Sequence, residues 1–376
     1  MAEAVEISQH EDGASTLAGG KLKVAILGAT GMVGQQLVRM LKNHPWFEVS
    51  VVAASASSAG KSYAEAVGKR WAMEFPLPEE LARLTVWDVQ EIEEIVARVD
   101  VAFCALSLDK ESVLKLEHDY AVRGVWVTSN NSAYRTDPFV PMVIPAVNQH
   151  HLDMIRLQRE SRGYRTGAII VKSNCSIQSY VIALEPLREF GIEKITVHSE
   201  QAISGAGKTF DTWPEMERNV IPLINGEEQK SETEPLKIWG VASADGIVPA
   251  TSPKIKAKCV RVSVADGHVA YVNVRFKTTP TRNQILERWE KFEIAGSLPS
   301  APAKVIHYLQ EPDRPQPRLD VMTESGMAVS LGQLFIEDDG TVHFTGLSHN
   351  AILGAAGGAV LATEAAIARQ LVYRRI

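Results

Sequence analysis

The chain has 376 residues, 45% hydrophobic and 22% charged, with a formal net charge of −6. At roughly 100–200 residues per domain, this length predicts about two domains, each able to bury its own core. The acidic balance, with no Lys/Arg block, excludes nucleic acid as the main partner. No run nears the roughly 20 apolar residues that cross a bilayer, so a soluble globular protein with no membrane partner is expected.

Residues 1–20 carry four acidic groups, no Lys or Arg and no apolar signal segment. They are expected to form a disordered tail rather than a signal or transit peptide. From Lys21 onward, β-type apolar runs at 23–27, 49–53, 101–105 and 125–127 alternate with helical patterns such as 32–42. That alternation predicts a parallel, doubly wound sheet. From about Gly167 the pattern changes, with a strand at 168–171, a helix starting near Ser176, and alternating strands at 261–264 and 268–276. Ala265-Asp266-Gly267 between the last two reads as a hairpin turn. An Ala/Gly-rich helical stretch at 352–372 is expected to return to the first domain. The fold class expected is α/β, a Rossmann-type doubly wound parallel sheet with a second, α+β mixed-sheet domain. The boundaries expected are 21–165 plus 350–376 for the dinucleotide-binding domain and 166–349 for the catalytic and oligomerisation domain.

Gly28-Ala29-Thr30-Gly31-Met32-Val33-Gly34 follows the first strand and opens the first helix. In that context its glycines can make a tight turn that lets pyrophosphate approach the helix N-terminus. After the second strand come Ser55, Ser57, Ser58 and Lys61, with no Asp or Glu to accept hydrogen bonds from a ribose 2′-hydroxyl. Hydroxyls and a lysine suit a 2′-phosphate, so NADP is the cofactor expected, with NAD as the alternative.

Cys104, Cys175 and Cys259 lie far apart without metal-ligand spacing, so no disulfide framework and no metal site are expected. A reducing, cytoplasmic location fits. Cys104 and Cys259 sit within apolar strands and read as buried thiols. Ser173-Asn174-Cys175-Ser176 stands between a strand and a helix, where the helix N-terminus would favour a thiolate and its N–H groups could hold an oxyanion. Arg261 and His268, flanking the expected turn, could present a cation and an acid/base group to one pocket.

Together these stretches resemble the aspartate-semialdehyde dehydrogenases, in particular the branch typical of archaea and fungi. The likeness runs from Lys21 to the C-terminus through GATGMVG (28–34), SNNSAYR (129–135), SNCS (173–176), QAISGAG (201–207), GEEQK (226–230), RVSVADGH (261–268), DRPQPRLD (313–320) and SHNAILGAAGG (348–358). The resemblance implies that Cys175 is the nucleophile, His268 the acid/base and Gln201 the group that orients the acyl moiety. It further implies that Arg261 grips the substrate α-carboxylate and Glu227 its ammonium, while Lys230, Arg135 and Asn130 hold phosphate. Ser204, Gly205, Gly207 and Asn350 would meet the cofactor, and Gly354, Gly357 and Gly358 would lie by the nicotinamide.

The implied reaction is NADPH-dependent reduction of β-aspartyl phosphate to aspartate semialdehyde through a cysteine thioester, a step in lysine, threonine and methionine biosynthesis. The implied assembly is a homodimer or homotetramer built through the second domain. Three departures from the family pattern stand out: Ile177 replaces a threonine after the SNCS turn, Ser57 replaces an arginine, and Leu353 replaces another. The alternatives are a malonyl-CoA or succinyl-CoA reductase on the same scaffold, or a dinucleotide-binding homologue without catalysis. An N-acetylglutamyl-phosphate reductase is more distant, because an acetylated amine would not require Glu227.

Overall fold

The computed structural model describes residues 2–9 and 15–375. Six strands form a fully parallel sheet: Leu22–Leu27, Phe47–Ala54, Val86–Asp88, Val101–Cys104, Trp126–Ser129 and Ala168–Val171. Numbered along the chain, their spatial order is 3-2-1-4-5-6, the order of Rossmann dinucleotide-binding sheets. Leu22–Leu27, Val101–Cys104 and Trp126–Ser129, and the second half of Phe47–Ala54, are buried on both faces, which explains why they read as continuous apolar runs rather than as alternation. The strand order reverses between Leu22–Leu27 and Val101–Cys104, and the crevice beyond their C-terminal ends is where such a sheet receives its ligand.

The strand at 168–171, expected to open the second domain, is instead the sixth strand of this sheet and pairs in parallel with Trp126–Ser129. Four fully buried apolar residues can complete either kind of sheet, and only the long-range partner decides which.

The second sheet has seven strands in mixed orientation: Val220–Ile221, Lys254–Val262, Ile192–Gln201, His268–Phe276, Val342–Ser348, Val329–Ile336 and Ile306–Tyr308. No hairpin joins Lys254–Val262 to His268–Phe276. Ile192–Gln201 lies between them, parallel to the first and antiparallel to the second. The segment 263–267 is therefore a crossover passing over the end of a third strand. Alternation in His268–Phe276 is clear, with Ala270, Val272 and Val274 buried and Tyr271, Asn273 and Arg275 exposed. The buried side meets the wholly buried helix Gln178–Leu184, where Ala183 O accepts a hydrogen bond from Trp289 Nε1.

The helix Gly357–Ala368, entered through a π-helical turn at Ile352–Ala356, packs on the first sheet. Thr363 Oγ1 meets Thr128 Oγ1 at 2.7 Å there. It also binds its surroundings through Glu364, which meets His44 Nε2 at 2.7 Å and Ser300 Oγ at 2.6 Å. The helix stops at Ala368, short of the expected 372, and the chain ends in the strand Tyr373–Arg375.

That last strand pairs with Ala2–Ala4, and Ile7–Gln9 pairs with Ser15–Leu17. The described parts of the first twenty residues are thus ordered, contrary to the expected tail, while residues 1 and 10–14 lie outside the described residues. Burial of Val5 and Leu17 and pairing with the chain's far end supply what composition alone did not reveal. Among the described residues, no helix is long and apolar enough to cross a membrane.

Candidate active site

The sixth strand delivers Ser173-Asn174-Cys175 to the C-terminal edge of the first sheet, where the ends of three strands of the second sheet converge. Asn174 Oδ1 accepts hydrogen bonds from the Ser176 N–H (2.8 Å) and Ser176 Oγ (2.6 Å), closing a tight turn around Cys175. Gln178 braces it from the helix side through Ser173 Oγ at 2.6 Å. The Ser176 N–H is consequently occupied and does not serve the oxyanion role expected of the helix start.

Across the cleft, Gln201 pairs in register with Arg261, and His268 lies one step past the Glu200–Val269 pair, so three neighbouring strands present these side chains at one level. Cys175 Sγ stands 3.4 Å from His268 Nε2. The other ring nitrogen, Nδ1, accepts the Ala202 N–H at 3.1 Å. Arg261 Nη1 donates to Ala202 O at 2.7 Å. Gly205 makes this crowding feasible, because a Cβ there would sit 2.8 Å from Arg261 Nη1 and 2.9 Å from His268 Cε1. Gly354 plays the same part for the nucleophile, since its Cβ would fall 2.7 Å from Cys175 Cβ.

Burial, with Glu227 adding to it, pushes the Cys175 thiol up to about 11, against the pull of Arg135, Arg261 and Lys172. Burial, and then Arg261, pushes His268 down to about 3. Thiol and imidazole are therefore both neutral at pH 7, rather than the thiolate expected from the neighbouring helix. That helix, Gln178–Leu184, has only seven residues, and desolvation outweighs its dipole.

The helix Glu227–Ile238 forms a further wall. Glu227 is buried, yet its carboxyl is held below the usual range. Burial opposes ionisation, but Lys230 Nζ at 2.7 Å, Asn174 Nδ2 at 2.8 Å and Gln201 Nε2 at 3.4 Å prevail. Arg135 approaches from the loop after the fifth strand, with Nη1 on Glu234 Oε1 at 2.9 Å and Nη2 on Asn130 O at 3.2 Å. Among the described residues its buried Nε has no hydrogen-bond partner, a donor left over for an acceptor. A cleft of about 330 Å³ brings together Cys175, Gln201, Arg261, Glu227, Lys230 and Arg135, and Asn130 lies on the same wall.

The cleft continues to Met32, Val33, Ser204, Gly205 and Asn350, joining the thiol to the glycine-rich turn. Gly28 has φ +92°, and a Cβ there would strike Ala105 O at 2.3 Å, so only glycine fits. Gly31 caps the ten-residue helix Met32–Leu41 without a side-chain hydrogen bond, which leaves first-turn N–H groups facing the crevice. Tyr63 Oη holds the turn by donating to Ala29 O at 2.7 Å. Thr30, Gly31 and Gly207 border an adjoining cleft. Ser55 and Ser57 are exposed and mutually bonded at 3.0 Å, Ser58 is buried, and Lys61 Nζ donates to Ser57 O at 2.8 Å. These residues, with a bare, uncapped helix start, fit a dinucleotide. Among the described residues, no cluster of His, Cys, Asp and Glu is arranged to hold a metal ion.

Two family models match the chain: semialdehyde dehydrogenase, NAD binding domain, over residues 23–155, and semialdehyde dehydrogenase, dimerisation domain, over 184–353. An aspartate-semialdehyde dehydrogenase of Schizosaccharomyces pombe is 39% identical over 93% of this chain and 99% of its own. One from Archaeoglobus fulgidus is 37% identical over 94% and 100%. The chain belongs to the aspartate-semialdehyde dehydrogenase family. The crystal structure of a Candida albicans aspartate-semialdehyde dehydrogenase with NADP superposes with a TM-score of 0.83 at 35% identity, covering 93% of this chain and 100% of that one.

Set in this member of the aspartate-semialdehyde dehydrogenase family, the three departures fall into two kinds. Ile177 is wholly buried, and Leu353 lines a small internal cavity with Lys172 and Gln178, so neither faces the cleft. Ser57 is exposed at the end of the second strand. Asn350, expected to meet the cofactor, has its amide engaged at both ends. Its Nδ2 donates to Ser204 Oγ at 2.8 Å, and its Oδ1 accepts the Gly267 N–H at 2.9 Å. Sequence reasoning missed Asn174, Glu234 and Lys172 as parts of the site. Glu234 was detectable as the acid seven residues after Glu227, on the same helix face. Lys172 carried no signal beyond its place beside the SNCS turn.

Proposed function

We propose that the protein catalyses the NADPH-dependent reductive dephosphorylation of β-aspartyl phosphate to aspartate semialdehyde through a thioester on Cys175. The observation that carries this reading is Cys175, 3.4 Å from the buried His268 Nε2 and set in one cleft with Arg261, Glu227, Lys230 and Arg135 that continues to Met32 and Val33 of the glycine-rich turn. An acyl phosphate bearing an α-carboxylate and an ammonium group has a counterpart for every charge there. A CoA thioester would leave Glu227 and Lys230 without a role, which disfavours the acyl-CoA reductase alternative.

Arg261 can grip the α-carboxylate with a bidentate fork, and Glu227 can take the ammonium. Arg135 and Lys230 neutralise the phosphate, which leaves with the electron pair of the broken C–O bond and carries off the thiol proton as the S–C bond forms. The bond from the Ala202 N–H to Nδ1 puts the neutral ring's proton on Nε2, facing the sulfur. His268 is then a hydrogen-bond donor to sulfur when thiolate departs, rather than the group that withdraws the thiol proton. Bound NADPH supplies the hydride that reduces the thioester. Met32 and Val33 line that end of the cleft, and Gln201 orients the acyl group between Cys175 and Glu227.

The outward face of the second sheet, where Tyr271 and Phe335 are exposed, is the surface proposed for homodimer or homotetramer formation. A cytoplasmic location accords with three unpaired cysteines.

The test is NADP reduction with aspartate semialdehyde and phosphate, beside malonyl-CoA with NADPH. Cys175→Ala should abolish the first reaction while remaining folded. Substantial activity in that variant, or turnover of malonyl-CoA alone, would overturn the proposal.

A further inference from the structure

Two buried carboxylates stand seven residues apart on the helix Glu227–Ile238, two turns along one face. Each spends one oxygen on Asn174, the residue before the nucleophile, and the other on a cation that lines the cleft. Glu227 accepts from Asn174 Nδ2 at 2.8 Å and from Lys230 Nζ at 2.7 Å. Glu234 accepts from the Asn174 backbone N–H at 2.6 Å and from Arg135 Nη1 at 2.9 Å. Glu227 borders the cleft, whereas Glu234 lies behind its wall and reaches substrate only through the groups it holds.

We infer that Glu234 is a positioning residue that locks Arg135 in register with the backbone N–H of Asn174, the residue before Cys175, so that an anion held by Arg135 is placed relative to the sulfur. The inference rests on the reading of Arg135 as a phosphate ligand. Both partners are nearly buried, with side chains 11% and 7% exposed, so the pair is little screened by water. The geometry is fixed at three points: Nη1 on Glu234, Nη2 on Asn130 O, and the Glu234 oxygen on the Asn174 N–H. What remains of the guanidinium, including the unpartnered Nε, is then held in one orientation beside the cleft.

Glu234→Gln separates positioning from simple support. It retains the size and one oxygen, which can still accept the Asn174 N–H, but it turns an NH2 group toward the Arg135 guanidinium. Kinetics with aspartate semialdehyde and NADP at varied inorganic phosphate should show the KM for phosphate raised about tenfold or more, with kcat and the aldehyde KM changed much less. Glu234→Asp, which keeps the charge but shortens the reach, should shift phosphate KM in the same selective way by a smaller factor. In an Arg135→Ala background the Glu234→Gln effect on phosphate KM should vanish, because the two side chains act as one unit. An unchanged phosphate KM, a fall in kcat alone, or an equal effect with and without Arg135 would overturn the inference. A wild-type protein inactive with aspartate semialdehyde and phosphate would instead sink the proposed function itself.

Discussion

Cys175 Sγ stands 3.4 Å from His268 Nε2, and the opposite ring nitrogen is held by the Ala202 N–H at 3.1 Å. With the thiol pushed up to about 11 and the imidazole down to about 3, the pair rests without charge at neutral pH. Thiolate reactivity therefore grows as protons are removed from the sulfur alone. The alkylation rate of Cys175 by iodoacetamide, followed by mass spectrometry, should climb steadily from pH 6 to 10 with no plateau near 7. A plateau at neutral pH would indicate a preformed thiolate–imidazolium pair.

Arg261 is buried, and one of its Nη atoms is already fixed to Ala202 O. Arg261→Lys keeps the charge but loses the planar fork, and hydrogen bonds between charged groups contribute about 1.5–3 kcal/mol. The KM for aspartate semialdehyde should rise roughly 10- to 100-fold, with less change in kcat. An unaltered KM would remove Arg261 from the carboxylate site.

The bare Cα of Gly354 faces Cys175, where an added methyl would lie 2.7 Å from the cysteine Cβ. Gly354→Ala must displace either the nucleophile or the π-helical turn at Ile352–Ala356. A displacement of this size near the reacting atoms costs about 100-fold in rate, so kcat should fall by that order while circular dichroism stays native. Wild-type kcat in this variant would show that the turn can yield freely.

Lys172 is buried, its Nζ has no hydrogen-bond partner among the described residues, and burial, with Arg135 adding to it, pushes its ammonium down to about 7. An unfolded lysine holds its proton to about 10.4, so between about pH 7 and 10 the unfolded state binds more protons and stability rises with pH. Below about 7 both states are protonated and the full penalty of burying the charge applies. Lys172→Met should thus stabilise the protein at pH 6, with the gain shrinking toward pH 10, as read from urea midpoints at constant ionic strength. A gain independent of pH would mean that charge burial is not the cause.

Ser55 and Ser57 present exposed hydroxyls at the end of the second strand, and no carboxylate stands beside them at 53–61. Ser57→Asp would repel a 2′-phosphate and could accept hydrogen bonds from a free ribose. The KM ratio of NADP to NAD should rise by roughly tenfold, equivalent to about 1.4 kcal/mol. An unmoved ratio would place the 2′-phosphate elsewhere.

Much of this molecule was determined locally. The turn at 28–34 needs glycine where φ is positive and where backbone must pass backbone, and that requirement is written in seven consecutive residues. The first sheet was legible because strands buried on both faces leave continuous apolar runs, and the residues of the cleft because each stands in a short motif. What only the tertiary structure decided concerns partners. A run such as 168–171 is apolar on both faces wherever it goes, and its place beside Trp126–Ser129 is set by packing between residues some forty positions apart. The turn at 265–267 has the composition of a hairpin, but insertion of Ile192–Gln201 between its flanking strands makes it a crossover and puts Gln201 between Arg261 and His268. The first residues have no core of their own and gain order from the chain's last strand. The charge states follow the same division, since desolvation depends on everything folded around a group and no window of sequence contains it. The sequence therefore names Cys175 and His268, while the fold makes them a neutral pair and binds Arg135 to the nucleophile's turn through Glu234.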